Sequence, residues 1–177
     1  MDKHHIISNV ACVCLLFVSG KTFAWQVAEF VLPSGVHVKI VENAFRPGQF
    51  KLAGCGEAES SCLINGKMPF GAYNRLPATY VKRITVSYRG HSYSLDASGM
   101  YDAWGSRPLE FKGVVRYFGG QCADTTNCGF RGLFSDGAST FVAEWQIAHG
   151  VSTRTVLTDS SDVVDLFKRK IDPPDFE

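Results

Sequence analysis

The sequence predicts an all-β domain, a sandwich or open barrel of roughly seven or eight antiparallel strands, followed by one C-terminal α-helix. Three observations indicate this fold class. From Phe30 to Asp159 the chain consists of short runs rich in β-branched and aromatic residues, separated by Gly, Pro, Asn and Asp. Within those runs hydrophobic and polar residues alternate, as they do in half-buried strands. No part of this stretch keeps a helical hydrophobic period of useful length.

Turn residues separate the predicted strands. The clearest hairpin joins TYVKRITVSY to HSYSLD through Arg89-Gly90, a two-residue connection of the kind that hairpins favour. Strict alternation in the first run puts Lys82, Ile84, Val86 and Tyr88 in one phase, and we expect the last three to share a face. Further strands are predicted in the runs GVHVKIV, LEFKGVVRYF, FRGLF, STFVAEWQIAHG and VSTRTVLT.

Only the C-terminal segment has helical character. In VVDLFKRKI, the residues Val163, Phe167 and Ile171 fall on one stripe, and the basic residues occupy the last turn, where they complement the helix dipole. Residues 159–161 offer Asp, Ser and Ser as N-cap candidates, and Pro173-Pro174 ends the helix. We expect this helix to pack on the sheet.

Residues 1–24 have the features of an export signal. Lys3 precedes an apolar run from Val10 to Val18, and Ala24 supplies the small residue that a signal peptidase recognises. The run is shorter than the roughly 20 apolar residues that a membrane span needs. We therefore expect cleavage near Ala24, no membrane anchor, and an exported single β-rich domain over 25–177, located in the periplasm.

The charge balance argues against a nucleic-acid partner. Residues 1–24 contain two of the 18 basic and one of the 17 acidic side chains, so the chain from Trp25 onward carries equal numbers of both. Binding to nucleic acid needs a dense basic face that neutralises phosphates. The sequence leaves open whether the domain forms a homodimer.

Four cysteines follow the export signal and form two close pairs, Cys55 with Cys62 in CGEAESSC and Cys122 with Cys128 in CADTTNC. In an oxidising compartment an even number of cysteines predicts disulfides. Four cysteines allow three connectivities, of which the short separations favour these two local bridges. A zinc site would need closer pairs and histidine neighbours, so we expect no metal.

The sequence does not predict an enzyme. The cysteines are expected to be consumed in disulfides, and His37, His91 and His149 have no metal-binding spacing. The chain has no G-x-S-x-G nucleophile elbow, and a Ser, His and Asp set assembled by proximity in sequence alone would not identify a triad. We therefore expect neither catalysis nor a cofactor.

The segment 96–108, DASGMYDAWGSRP, is the strongest candidate for function. It combines hydroxyl, carboxylate, aromatic and guanidinium groups with two glycines in a stretch that suits neither a strand nor a helix. Loops of this kind are either held by their own packing or present a binding surface. The candidate partner-binding residues are Ser98, Gly99, Tyr101, Asp102, Trp104 and Arg107.

Within this segment, Ser98-Gly99-Met100-Tyr101 resembles the S-G-x-Y loop of the periplasmic lysozyme inhibitors of Gram-negative bacteria. The run FVLPSGVHVKIV is similar to the first strand of the invertebrate-type members of that family. The resemblance implies an exported β-rich inhibitor whose loop enters the lysozyme cleft. It implies that the hydroxyl of Ser98 meets the catalytic carboxylates, and that Tyr101 supports the loop or packs in the groove.

In architecture the chain also resembles the immunity proteins that protect bacteria from type VI secretion peptidoglycan amidase effectors, some of which insert a serine-bearing loop into the active site. Both resemblances imply inhibition of a peptidoglycan-degrading enzyme. The alternative is a periplasmic binding or structural module, in which Tyr101 and Trp104 pack beneath their own loop. A second loop, with candidate residues Ser135, Asp136 and Ser139, also presents hydroxyls at a hairpin tip.

Overall fold

Two four-stranded sheets form the body of the protein. A computed structural model describes residues 26–55, 62–72, 75–104, 117–135 and 139–169. In these residues every strand pairing between neighbouring strands is antiparallel. The predicted all-β class with one C-terminal helix is confirmed.

The first sheet has the strand order β1, β2, β5, β6. Its strands are β1 (Gln26–Val31), β2 (His37–Ala44), β5 (Thr79–Tyr88) and β6 (His91–Leu95). The predicted hairpin between β5 and β6 is confirmed, with Tyr88 opposite His91. Arg89 and Gly90 both have positive φ angles, 45° and 83°, as a type I′ hairpin turn requires.

The second sheet has the strand order β10, β9, β8, β7. Its strands are β7 (Phe118–Cys122), β8 (Cys128–Ser135), β9 (Thr140–Ala148) and β10 (Val151–Thr158). The last three coincide with predicted strands. Most of the predicted strand LEFKGVVRYF falls on residues 109–116, outside the described residues, and β7 begins at its last residue.

The inner faces of the two sheets share one hydrophobic core. Ile40 and Ile84 of the first sheet are fully buried, as are Phe134 and Trp145 of the second. The sheets also approach at their edges, where the rings of Phe30 in β1 and Phe118 in β7 are 4.9 Å apart. Aligned packing of two such faces is the arrangement of a β-sandwich.

A β-bulge in β5 interrupts the alternation that the sequence predicts for the whole strand. Val41 of β2 lies opposite Arg83, but the next residue, Glu42, lies opposite Val81, so that Lys82 is extra in β5. An extra residue reverses the phase of the strand. Ile84 and Val86 therefore point into the core on one side of the bulge, whereas Val81 and Thr79 are buried on the other.

Both predicted disulfides are confirmed. Cys55–Cys62 closes the loop between two short strands, β3 (Leu52–Ala53) and β4 (Leu63–Ile64), which the sequence did not predict. Cys122–Cys128 links the paired ends of β7 and β8. Such bridges fit an oxidising environment outside the cytosol.

The C-terminal helix, α1 (Ser161–Arg169), packs on the outer face of the second sheet. Phe167 is buried there as predicted, but the second buried residue is Val164 rather than Val163, which is only partly covered. Both valines lie one turn before Phe167 on the same side of the helix, and Val164 is the one buried with Leu133 and Val142. Ile171 and Pro173-Pro174 lie outside the described residues.

The predicted export signal, 1–24, also lies outside the described residues. Among the helices that the structure describes, none has the length and apolar character needed to cross a membrane. A short 3-10 helix, Pro47–Gln49, precedes β3.

Candidate functional site

The S-G-x-Y loop, defined here as residues 96–101, leaves the end of β6 and crosses the neighbouring strand β5. Its backbone is anchored on two sides. The amide of Phe70 donates to the carbonyl of Gly99 (2.9 Å), and the amide of Tyr101 donates to the carbonyl of Phe70 (2.8 Å). On the other side, the amide of Val81 donates to the carbonyl of Met100 (3.0 Å). The C-terminal half of the loop, residues 99–101, is therefore bonded to the fold on two sides.

The turn within the loop is closed by its first residue. The carboxylate of Asp96 accepts a hydrogen bond from the amide of Ser98 (2.9 Å), which is an Asx turn. Gly99 has a φ of +83°, a conformation that glycine adopts without steric cost. The indole of Trp145, on β9, donates to the carbonyl of Asp96 (2.9 Å) and fixes the start of the turn.

Arg154 of β10 holds the turn from the opposite sheet. Its Nη1 atom donates to the carbonyl of Ser98 (2.5 Å) and to that of Asp96 (3.3 Å). Its Nη2 atom donates to the Ser98 hydroxyl (3.4 Å) and lies 3.2 Å from the Asp96 carboxylate. A planar guanidinium can engage several acceptors at once in a fixed geometry, so one side chain fixes two backbone carbonyls and two side chains.

Ser98 itself is exposed, and a second cation lies beside it. The ammonium group of Lys67 is 3.5 Å from the Ser98 hydroxyl. Partial burial would raise the pKa of Asp96, but the hydrogen bonds from Ser98 and the charges of Arg154 and Lys67 outweigh it and hold that pKa below its usual value. Asp96 is therefore ionised and paired, and the exposed hydroxyl lies between two cationic groups.

The two aromatic candidates are buried. Tyr101 is 5 % exposed and Trp104 is 6 % exposed. The edge of the Tyr101 ring lies against Phe45 (5.9 Å between centroids), and Trp104 packs against Phe134 of the core (6.2 Å). These positions match the alternative interpretation of the sequence, in which both rings form the floor of their own loop.

Asp102 is also buried, at 1 % exposure, and it orders the segment before β5. Its Oδ1 atom accepts hydrogen bonds from the amides of Ala78 and Thr79 (both 2.8 Å). Among the described residues its Oδ2 atom accepts no hydrogen bond, but it lies 3.2 Å from Arg75 Nη2. This carboxylate braces the fold rather than facing a partner.

A second buried carboxyl group, which the sequence did not reveal, lies next to Asp102. Glu42 of β2 is 1 % exposed and accepts hydrogen bonds from the hydroxyl of Thr79 (2.5 Å) and the amide of Ala103 (3.2 Å). Burial raises the pKa of Glu42 to about 7, partly offset by these hydrogen bonds, and Asp102 raises it further. Its Oε2 atom has no partner within the described residues.

The second predicted loop is used internally. The hydroxyl of Ser139 donates to the carbonyl of Gly71 (2.9 Å), and that of Ser135 donates to the carbonyl of Ser139 (3.1 Å). Of the remaining candidates, Arg107 and Asp136 lie outside the described residues.

A groove of about 440 Å³ opens beside Ser98, between the S-G-x-Y loop and the β3–β4 hairpin. Half-buried Phe50 and Tyr80 line it, with Tyr101. Lys67 and Ser98 lie on its rim. The groove is thus continuous with the exposed hydroxyl, and it has an aromatic floor and a polar edge.

The structure brings together Ser98, Gly99, Tyr101 and Asp102 in one segment, and it adds Arg154, Lys67 and Glu42, which sequence reasoning missed. One weak signal existed. Arg154 interrupts VSTRTVLT, a strand otherwise made of short hydroxyl and aliphatic side chains. Lys67 and Glu42 had no local signal, because only the tertiary fold places Lys67 beside Ser98 and Glu42 beside Asp102.

Within the described residues, no cluster of three or more His, Cys, Asp and Glu side chains could hold a metal ion. Comparisons with protein-family models, curated proteins and solved structures find no match for this chain.

Proposed function

We propose that this chain is an exported, periplasmic inhibitor or immunity protein that binds and blocks a peptidoglycan-degrading enzyme, a lysozyme or a type VI amidase effector. The observation that supports the proposal is the fixed, exposed hydroxyl of Ser98, held by Arg154, Asp96 and Lys67. A loop that is ordered before binding loses little conformational entropy when it enters a cleft. The resemblance of Ser98-Gly99-Met100-Tyr101 to the inhibitor loop supports the same function.

The electrostatics around Ser98 favour a target with acidic groups. A hydroxyl has one proton and two lone pairs, and here Arg154 and Lys67 donate to the lone pairs. The proton can then go to Asp96, whose pKa a hydrogen bond from the Ser98 side chain helps to lower, or to an acceptor on the target. A carboxylate in an enzyme cleft would accept it and would also be attracted by the nearby ammonium group. Among the two target classes, this arrangement favours a lysozyme, because its cleft is acidic.

In this proposal the buried rings support the loop rather than contact the target. Tyr101 and Trp104 are buried in two hydrophobic clusters that flank the C-terminal end of the loop, so neither ring is exposed to a partner. The predicted contact surface therefore shrinks to Ser98, Gly99 and the rim of the groove.

A binding screen tests the proposal. The chain from Trp25 onward, immobilised and exposed to a panel of lysozymes and secreted amidases, should capture at least one of them and inhibit its lysis of peptidoglycan. Ser98→Ala should weaken that binding by about 1–3 kcal/mol. The matched control, Ser94→Ala, removes an exposed hydroxyl two residues before the loop and should leave binding unchanged.

A third variant tests the role of the fixed loop. Arg154→Gln keeps Ser98 but removes the guanidinium that holds its carbonyl, and it should weaken binding at least as much as Ser98→Ala. Arg83→Gln, at an exposed position of β5, is the control. Equal binding by all four variants, or hydrolysis of peptidoglycan by the purified chain, would overturn the proposal.

A further inference from the structure

The groove beside the S-G-x-Y loop has features of a small-molecule site in its own right. Its volume, about 440 Å³, lies within the range of roughly 300–1,000 Å³ typical of such sites. Three buried aliphatic residues, Ile64, Val81 and Leu95, line it together with the aromatic residues. Sites of this class combine an apolar base with a few polar groups that orient the ligand.

One polar group in the groove lacks a partner although its side chain is buried. Tyr101 is 5 % exposed and lines the groove. Burial alone raises the pKa of its hydroxyl, with no contribution from a hydrogen bond or a charge. Within the described residues this hydroxyl makes no hydrogen bond, and it is not fully enclosed by protein atoms. Because Tyr101 lines the groove and its hydroxyl has no protein partner among the described residues, this hydroxyl is a candidate to bind a ligand.

The charges of the groove favour an anion. Lys67 contributes an ammonium group on the rim, 3.5 Å from the Ser98 hydroxyl. Among the described residues that line the groove, Asp96 is the only carboxylate, and it forms an ion pair with Arg154 (3.2 Å). A carboxylate placed between Lys67 and Ser98 would gain one charge-assisted hydrogen bond and one hydroxyl donor.

The other polar groups favour a ligand that is rich in hydroxyls. Asn65, Tyr80 and Tyr101 line the groove, and each side chain can donate and accept hydrogen bonds. The ring of Phe50 meets the edge of the Tyr80 ring, 5.3 Å between centroids, so the floor is aromatic. A pyranose offers an apolar C–H face to such a floor and hydroxyls to the surrounding groups.

We infer that this groove binds a carboxylate-bearing saccharide. The carboxylate would contact both the Lys67 ammonium group and the Ser98 hydroxyl, and the sugar ring would pack against Phe50 and Tyr80. The protein would bind this ligand by itself, without a hydrolase partner. In an exported protein it would bind acidic glycan at the same end of the fold as the S-G-x-Y loop.

Calorimetric titration of the chain from Trp25 onward tests this inference with three probes. N-acetylmuramic acid and glucuronic acid carry a carboxylate at different positions of the sugar, and N-acetylglucosamine is neutral. Binding of at least one acid should be about tenfold or more tighter than that of the neutral sugar, the effect of one charge-assisted hydrogen bond. The acid that binds more tightly shows which position of the carboxylate on the sugar the groove prefers.

Three variants locate the site. Lys67→Met and Tyr101→Phe should each weaken binding of the acidic sugar by about tenfold, and Tyr101→Phe keeps the buried ring so that the fold is retained. Lys39→Met, at an exposed lysine of β2 that pairs with Glu29, should have no effect.

Several results would overturn the inference. These are no binding of either acid at about 10 mM, a weak-affinity limit, equal binding of acidic and neutral sugars, or binding that both groove variants leave unchanged. Tighter binding of a tetra-aspartate peptide than of either acid would assign the groove to a protein segment instead. Because no hydrolase is present in the titration, these results do not depend on the outcome of the enzyme screen.

Discussion

The carboxyl group of Glu42 and the hydroxyl of Thr79 form a buried hydrogen bond of 2.5 Å at the end of the sandwich that carries the S-G-x-Y loop. The same hydroxyl lies 3.3 Å from Asp102. Since a hydroxyl has a single proton, Thr79 can donate to only one of these carboxyl groups at a time. When Glu42 carries a proton, it can donate to Thr79 and leave the Thr79 proton for Asp102.

This arrangement predicts that the protein loses stability as the pH rises. Burial raises the pKa of Glu42 from its ordinary value of 4.5 to about 7. Between these values the unfolded chain has released its proton and the folded chain retains it, so the free energy of unfolding falls as pH increases across this interval. The expected total decrease is about 3 kcal/mol, measured by urea unfolding from about pH 4.5 to pH 8.

Glu42→Gln is the diagnostic variant, because it removes the titration and keeps an oxygen that can accept from Thr79. It should be more stable than the parent near pH 8, and the difference should shrink toward pH 5. Glu29→Gln, at an exposed position of β1, should keep the parent's pH dependence. A parent whose stability is flat over this range would contradict the prediction.

Substitutions at two glycines test the close approach of Gly71 to the backbone of Tyr101. Gly71 and Gly35 both have positive φ, 94° and 82°, so alanine is strained at either site by about 1 kcal/mol. At Gly71 an added methyl group would also collide with the carbonyl of Tyr101 and the ring of Phe141, whereas Gly35 has open space around it.

We therefore expect Gly71→Ala to cost at least about 2 kcal/mol more than Gly35→Ala, measured by urea unfolding at one pH. Similar losses in the two variants would show that the segments around residues 71 and 101 are not in contact.

The buried aromatic residues predict a division between stability and binding. Trp104→Ala and Tyr101→Ala should each lower the free energy of unfolding by about 3–5 kcal/mol, since each removes a large buried ring. Ser98→Ala should change it by less than about 0.5 kcal/mol. Normal stability of both aromatic variants would show that these rings are not the floor of the loop.

The disulfides predict a chain without free thiols from Trp25 onward, which thiol titration under denaturing, non-reducing conditions measures. Each bridge closes a short loop, with separations of seven and six residues, so each should contribute no more than about 2–3 kcal/mol. Replacing Cys122 and Cys128 by serine together, and then Cys55 and Cys62 in the same way, measures the two contributions separately. More than trace labelling of the oxidised protein would contradict this assignment.

Much of the fold could be predicted because its signals are local. β9 and β10 follow from alternation and from the His149-Gly150 turn, and β10 spans the predicted run Val151–Thr158. The strands β3 and β4 have two residues each, too few to leave a period. The bulge at Lys82 is set by what the two halves of β5 pack against, and alternation alone cannot reveal it.

In the candidate site, too, some features could be predicted from local sequence and others could not. The turn at Ser98-Gly99 could be located from its residue types, and so could the two alternatives for Tyr101 and Trp104. Which alternative holds depends on Phe45 and Phe134, residues far from the loop in sequence. The contacts of Arg154 and Lys67 with Ser98 are likewise long-range, so no local pattern encodes them.

The dependence of the loop on Arg154 has a consequence for folding. Arg154 belongs to the last strand of the chain and reaches back 56 residues to Ser98. The first sheet can pair its four strands without β10, but the contacts of Arg154 with the turn at Ser98 form only when β10 is in place beside β9. A molecule whose chain is truncated before β10, or whose second sheet is still open, therefore has the loop sequence without the loop shape. If the proposed function holds, only molecules in which β10 has docked can bind the target.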